Sequence, residues 1–478
     1  MIRRAGPINC GTIVKLSVSD QDNYIRQVFS QGSILFVGLV FQLGISFFAK
    51  LIVARELTLS DFGGVALGMT TASVVGPVAL LGLQEGIGRY LPRYDTDADR
   101  RGVLVSGFSI SAPTGLLAGG LLFVLVPMLT DTVFNSPEIA PTIRVFSLIV
   151  PLVVVHRLII STTQGNQQAA PKVILENLLR PTSRFLAIGA VIIVGVSSVR
   201  IAWAYVVGWT IPAAVGLVYL YRETNLFDFG SPTDTKRREM LHFSIPLLLS
   251  STLAMMFSDL DTLLLGYFTA ATDSVGIYDA IYSLGELLMT GIIAFGFVFM
   301  PIISEFHADD RMDQARRIYQ VVTKWVVIAT FPVFLVLVTF PERVISLTFG
   351  AKYAGGAAAL SILATGFFIH AIFGLNRETI VSIGKPRIKM AVDFGGAAVN
   401  LLLNLVLIPT YGPLGAATAT TITFFAMNVV LSTYLYRHSR IVPFAAATLR
   451  PVAVGGLVFI LAHSIILNYF MSTIPVLF

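Results

Sequence analysis

Glu176, Asn177, Arg180 and Arg184 lie within nine residues of one apolar stretch and are the side chains of this chain best placed to do chemistry. A charge in such a segment costs roughly 2.5–3.5 kcal/mol on membrane-insertion scales, so it is kept where a partner or a polar cavity receives it. A helical period puts Asn177, Arg180 and Arg184 on one face, with Glu176 one turn from Arg180. At 1.5 Å per residue from Lys172, Arg180 is about 12 Å deep and Arg184 about 18 Å. Arg157 descends from the opposite side to a similar depth. Three guanidinium groups so gathered suit an anionic ligand such as a phosphate or diphosphate, which arginine grips with two parallel hydrogen bonds. The plain alternative is that they snorkel to the headgroups or pair with Glu176, and it weighs most for Arg157 and Arg180.

A second set lies in the other half. Glu286 sits about 15 Å into an apolar span counted from Gly276, as a cation or proton site or as a salt-bridge partner across a cavity. Asp259 and Asp261 are two residues apart on one helix and face different ways, so at most one lines a cavity. Asn400 and Asn404 fit hydrogen bonding between helices, Asp393 a local pair with Lys389, and His370 a packed position. Cys10 is the single cysteine, and no metal-ligand spacing, nucleotide loop or hydrolase elbow is present. The sequence therefore predicts no metal, no cofactor and no enzyme active site, and an acid in the second half (Glu286 or Asp261) or Glu176 as a cavity or coupling acid that takes H+ or Na+.

The elements that must hold these residues are membrane helices. The chain has 478 residues, 55% hydrophobic and 13% charged, with a mean hydropathy of +0.79, too apolar for a soluble core. Spans of about 20 residues place thirteen helices, near 31–54, 64–83, 103–129, 143–163, 173–196, 200–221, 243–267, 276–302, 320–340, 356–375, 389–408, 413–436 and 451–470. Basic residues crowd the tail and every second connection, as in Arg89–Arg101, Arg222–Arg238, Arg311–Arg317 and Arg377–Lys389, and the intervening loops hold few (Lys50, Arg55, Arg200, Arg343, Lys352). The positive-inside rule then puts the N-terminus in the cytoplasm of a plasma-membrane protein. The net charge of +6 reads as this topology signal and not as a nucleic-acid face. The polar break Arg222–Met240 divides the helices six and six. ARELTLSDFGGVAL (54–67) and LGYFTAATDSVGIYDA (265–280) bridge the first two helices of each half, each with an acid before a glycine. The expected architecture is all-α and polytopic: an N-terminal lobe (1–222), a cytoplasmic linker (223–240), a C-terminal lobe (241–440) and one additional helix (441–478). The six-helix lobes are parallel repeats about a pseudo-twofold axis, with a cavity between them.

Several stretches resemble the Wzx-type polysaccharide-biosynthesis flippases of the multidrug/oligosaccharidyl-lipid/polysaccharide exporter superfamily: ARELTLSDFG (54–63), DTLLLGYF with VGIYDAIYSL (261–284), MPIISEF (300–306), LTFGAKYAGGAAAL (347–360), IGKPR (383–387) and NLLLNLVLIPTYGPLGAATAT (400–420). They occur in family order from the first helix to the twelfth. The resemblance implies a V-shaped monomer with no enzymatic step. It implies transfer of a lipid-linked oligosaccharide, on a polyprenyl phosphate or diphosphate, from the cytoplasmic to the outer leaflet by alternating access, with Arg157, Arg180, Arg184 and Asn177 toward the phosphate. An ion-coupled multidrug antiporter is the alternative on the same scaffold, and it would want net acid in the cavity.

Overall fold

The computed structural model describes residues 18–224, 226–228, 230, 232–269, 272–373, 375–442 and 453. The expected helix at 451–470, Cys10 and the tail cations Arg3, Arg4 and Lys15 lie outside them. Twelve long helical elements account for the first twelve expected spans, and among the described residues ten are long and apolar enough to cross a membrane. They are α1 (Val18–Glu56), α2 (Leu59–Ala79), α3 (Asp97–Val133), α4 (Pro137–Gly165), α5 (Ala169–Val194), α6 (Ser198–Glu223), α7 (Arg237–Phe268), α8 (Thr272–Glu286 continued by Thr290–Ala308), α9 (Met312–Thr339), α10 (Ala351–Ser382), α11 (Pro386–Tyr411) and α12 (Pro413–Ser439).

Local chemistry sets the boundaries. Thr58, Thr96 and Ser197 each accept a hydrogen bond from the backbone N–H three residues on, capping α2, α3 and α6. Pro137, Pro386 and Pro413 occupy first turns, where a missing N–H is harmless. Gly412, with φ +54, makes the turn between α11 and α12. Two long helices are broken where the sequence suggested continuity. Val173–Leu179 of α5 is a π-helix just before Pro181, whose absent N–H leaves the carbonyl one turn back without its usual partner. A 3-10 turn, Leu287–Met289, interrupts α8 immediately after Glu286.

α2 is the inner helix of the N-terminal lobe: 72% of its apolar window is inside the protein, against 17% for α1 and 22% for α3. Its sequence explains this, since Gly63, Gly64, Ala66 and Gly68 let neighbours approach its backbone where packing, not water exclusion, drives association. Leu116, Leu117, Leu121 and Val124 of α3 point outward instead, as lipid-facing residues do. In the C-terminal lobe α10 and α12 play the inner role, around Leu360, Leu363, Ala364 and Ala416.

The lobes meet through equivalent parts of their repeats. A Cβ on Gly63 would stand 1.9 Å from the Thr272 carbonyl oxygen, and one on Gly276 2.5 Å from that of Leu59. The acid-then-glycine turns of the two halves are thus pressed together, backbone to backbone, at the end of the bundle poor in basic residues. Around them Ser60 and Thr272 hydroxyls bond at 2.6 Å, Tyr353 donates to the Ala54 carbonyl at 2.8 Å, and Arg55 Nε donates to the Thr348 carbonyl at 2.5 Å. Lys352 reaches the carbonyls of Arg55, at 3.0 Å, and Leu57.

At the basic-rich end the connection between the lobes lies on the first. The Asp234 N–H donates to the Ala98 carbonyl at 3.3 Å, and Lys236 bridges Asp234 at 2.6 Å and Asp99 at 3.0 Å. Those two carboxylates, Asp234 first, hold the Lys236 ammonium above the ordinary lysine range.

Candidate functional site

A cavity of about 290 Å3 lies between the lobes, behind the glycine contact. Its N-terminal wall is Ser46 and Lys50 of α1, Met69, Thr70 and Ser73 of α2, Arg184 of α5 and Tyr205 of α6; its C-terminal wall is Asp259 of α7 and Asp279 of α8. Lys50 Nζ meets Asp279 Oδ1 at 2.8 Å, and Ser73 donates to Asp259 Oδ2 at 2.7 Å, so both contacts cross from one lobe to the other. Both members of the ion pair are about a quarter exposed.

Arg184 reaches this cavity as its depth predicts. Its guanidinium lies 5.1 Å from the centre of the Tyr205 ring, and its Nε is buried with no hydrogen-bond partner among the described residues. Gly208 of α6 makes room, since a Cβ there would come within 2.7 Å of the Arg184 Cβ. One turn back, Arg180 lies over the Trp209 ring at 4.7 Å, and that ring meets His156 edge-on at 5.4 Å. Aromatic faces accept a guanidinium without using up its N–H donors, which stay available to an anion.

Two expectations change. The single face of Asn177, Arg180 and Arg184 does not form, because the π-helix shifts the register: Asn177 is buried against α1 and donates to Gln42 at 2.5 Å. Glu176 is paired with Arg157 of α4, at 3.6 Å, which is the plain alternative given for that arginine. Asp261 does not line the interlobe cavity. It is buried in the C-terminal lobe, where Tyr278 donates to it at 2.6 Å, Thr420 at 2.5 Å and Asn404 at 2.5 Å, with Asn404 also bonded to Asn400 at 2.9 Å. Asp259 is therefore the member of that pair at the cavity.

Glu286 is exposed at the break in α8, with Lys50, Asp279 and Asp259 as its charged neighbours. Asp393 bonds Lys389 at 2.7 Å and also Arg377 at 2.8 Å; His370 is buried beside Asn428, at 2.9 Å, and stacked on Phe424. Sequence reasoning assigned Lys50 to the loops and passed over Asp279, Tyr205 and Trp209. The available signal was position: Lys50 stands six residues inside the end of α1, and Asp279 seven inside the start of α8.

Two matched six-helix lobes around a charged cavity define a membrane transporter of the multidrug and polysaccharide exporter architecture. Residues 29–307, over half of the chain, match the family described as polysaccharide biosynthesis protein, and the chain belongs to that family. Residues 246–406 also match the MatE family. The chain is 21% identical over 408 residues to the probable low-salt glycan biosynthesis flippase Agl15 of Haloferax volcanii, covering 83% of this chain and 81% of that one. Its fold resembles an inward-facing multidrug resistance MATE family transporter (TM-score 0.68, 14% identity, 87% of this chain and 96% of that one). It also resembles the lipid II flippase MurJ in an inward closed conformation (TM-score 0.67, 12% identity, 92% and 100%).

Proposed function

We propose that this protein is a plasma-membrane flippase that carries a lipid-linked oligosaccharide from the cytoplasmic to the outer leaflet by alternating access of its two lobes. The observation that carries the reading is Arg184: a guanidinium with an unpartnered Nε, at the wall of a cavity whose remaining wall belongs to the opposite lobe. Arg184 and Arg180 hold the phosphate of a polyprenyl carrier, each backed by an aromatic ring that leaves its donors free. Arg157 is neutralised by Glu176 and contributes less, and Asn177 acts indirectly by fixing α5 to α1. On this reading the N-terminus is cytoplasmic and the glycine contact is the shut outer gate, which the basic-rich connections support through the positive-inside rule. The lobes, 1–222 and 241–440, rock as bodies joined by the linker, and the protein works as a monomer.

Coupling to H+ or Na+ falls to the C-terminal lobe. Asp261 is a carboxylate enclosed by one tyrosine, one threonine and one asparagine donor, and Glu286 and Asp259 face Lys50 of the other lobe. Gain or loss of one cation there changes the attraction between lobes directly.

The test replaces Arg157, Arg180 and Arg184 singly with alanine and follows outer-leaflet exposure of the lipid-linked glycan in cells. Arg184→Ala and Arg180→Ala are expected to lose most transport and Arg157→Ala only part; full transport in the first two would sink the reading. One feature favours the alternative, an ion-coupled multidrug antiporter: Asp259, Asp279 and Glu286 give the cavity an acidic side that suits cations. Cationic dye efflux abolished by Asp259→Asn, with glycan exposure unaffected by Arg184→Ala, would select it.

A further inference from the structure

A second recess, of about 260 Å3, opens in the N-terminal lobe on the basic-rich side of Arg180. It is lined by Gln84 and Glu85 of the short helix Leu83–Tyr90, Arg157 and Gln164 of α4, and Lys172 and Glu176 of α5. Its composition differs from that of the interlobe cavity. Two acids face two bases, and one of each, Arg157 and Glu176, are already joined. The recess is formally neutral, so nothing in it selects a phosphate. Its remaining capacity is neutral and bifunctional: among the described residues neither the Gln84 nor the Gln164 side-chain amide has a hydrogen-bond partner, and each offers both a donor pair and an acceptor. Groups that donate and accept at once are what a ring of hydroxyls requires, because every sugar hydroxyl is itself both.

The recess is also tied to the phosphate site. Lys172, Glu176, Arg180 and Arg184 fall at four-residue intervals along α5, so the Glu176 edge of the recess lies about 6 Å from the level of Arg180 and about 12 Å from that of Arg184, at about 1.5 Å per residue. A volume just below the ~300 Å3 at which pockets for drug-sized ligands begin suits a single ring, not a chain.

We infer that this recess is a sugar subsite: it takes one neutral hexose of the lipid-linked glycan by its hydroxyls, through Gln84 and Gln164, while the arginines above it take the phosphate. The inference rests on the flippase reading and adds the part of the substrate that the arginines cannot read. Phosphate contacts are common to every carrier lipid, so discrimination between a glycosylated carrier and a bare one falls to this recess.

The experiment measures binding of two probes to the full-length protein in nanodiscs: polyprenyl phosphates bearing one glucose, galactose or mannose, and the same lipid phosphate without a sugar. Gln84 is half-buried and Gln164 exposed, so Gln84→Leu with Gln164→Leu spares the packing. The double variant is expected to bind the best of the three glycosylated lipids about tenfold more weakly, or 1.4 kcal/mol, with binding of the bare lipid phosphate unchanged and serving as the folding control. Arg184→Ala is expected to weaken both probes. Wild-type protein that binds the glycosylated lipids no better than the bare one, or a double variant that loses both equally or neither, overturns the sugar subsite and leaves the flippase reading standing. Wild-type protein that binds neither probe overturns both.

Discussion

The ion pair between Lys50 and Asp279 ties the two lobes together next to the cavity, and its removal offers the most direct check on the alternating-access reading. At 2.8 Å the two charges attract by several kcal/mol at the effective dielectric of a protein surface, about 4 kcal/mol at 4 Å and ε of 20. Side-chain entropy and partial hydration reduce that: exposed pairs are worth about 0–1 kcal/mol, and breaking a buried one costs about 3–5 kcal/mol. With both side chains about a quarter exposed, an intermediate figure of about 1.5–2 kcal/mol follows. Asp279→Asn or Lys50→Ala should therefore move the equilibrium between shut and open outer gates by about ten- to thirtyfold. Spin labels at Thr132→Cys and Glu342→Cys, exposed positions at the basic-poor ends of the two lobes, would report the distance distribution in a Cys10→Ser background that removes the single native thiol. The singles should gain a longer-distance population, and the reversed pair Lys50→Asp with Asp279→Lys should lose it again. Distributions that stay unchanged in the singles, or that the reversal does not restore, refute the idea that this contact holds the gate.

Other expectations concern separate parts of the molecule. Gly63→Ala places a methyl group 1.9 Å from the Thr272 carbonyl oxygen and cannot be relieved by a side-chain rotation; the same spin labels should show the gate splayed, and Gly44→Ala, whose Cβ meets nothing within 4 Å, should not. Asp261→Ala removes the acceptor of Tyr278 and Thr420 and one of the two acceptors of Asn404, and should lower the thermal midpoint in detergent by several degrees, with a cost of about 3 kcal/mol from the stranded donors. Asp261→Asn keeps most of that bonding, so a fold preserved with transport lost in vesicles would mark a coupling role, and transport preserved would restrict Asp261 to structure. Glu176→Gln strips Arg157 of its counter-charge, and should strengthen binding of a bare lipid phosphate a few-fold, since the freed guanidinium then competes for the anion.

The helices were legible because apolar length and basic-residue spacing are properties of the chain itself, set by the lipid rather than by tertiary contacts. Twelve of the thirteen expected spans correspond to described helices, and the thirteenth falls outside the described residues. The acid-then-glycine turns at 61–63 and 273–276 were visible as a repeat, but a sequence has no way to show that the repeats would press on each other. Among the site residues, depth alone picked out Arg184. Asn177 was misplaced because an uninterrupted 3.6-residue period puts it on the face of Arg180 and Arg184, and Val173–Leu179 departs from that period. Lys50 was assigned to a loop for a related reason: the positive-inside rule counts charges near span ends without asking which way they face. Asp279, about two turns into α8, carried no local signal, because its partner is 229 residues away.

The division of charge between the lobes bears on how one protein could both admit an anionic headgroup and release it. Cations at the cavity come from the N-terminal lobe, Lys50 and Arg184, and the acids from the C-terminal lobe, Asp259 and Asp279 with Glu286 nearby. With the lobes closed at the glycine contact, Lys50 is engaged by Asp279, and a phosphate entering the cavity competes with the C-terminal acids for the N-terminal cations. Arrival of the anion therefore weakens the contact that holds the outer gate, and the substrate itself biases the protein toward the outward state. A ligand shifts a two-state equilibrium only by its difference in affinity for the two states, and here that difference has a physical source in the loss of the Lys50–Asp279 pair. On this account Asp279→Asn should leave the gate open without substrate and remove the dependence of gate distance on added lipid phosphate, whereas wild-type protein should open further as the lipid is titrated in. A wild-type gate indifferent to the lipid would separate substrate binding from gating and place the driving force in the C-terminal carboxylates alone.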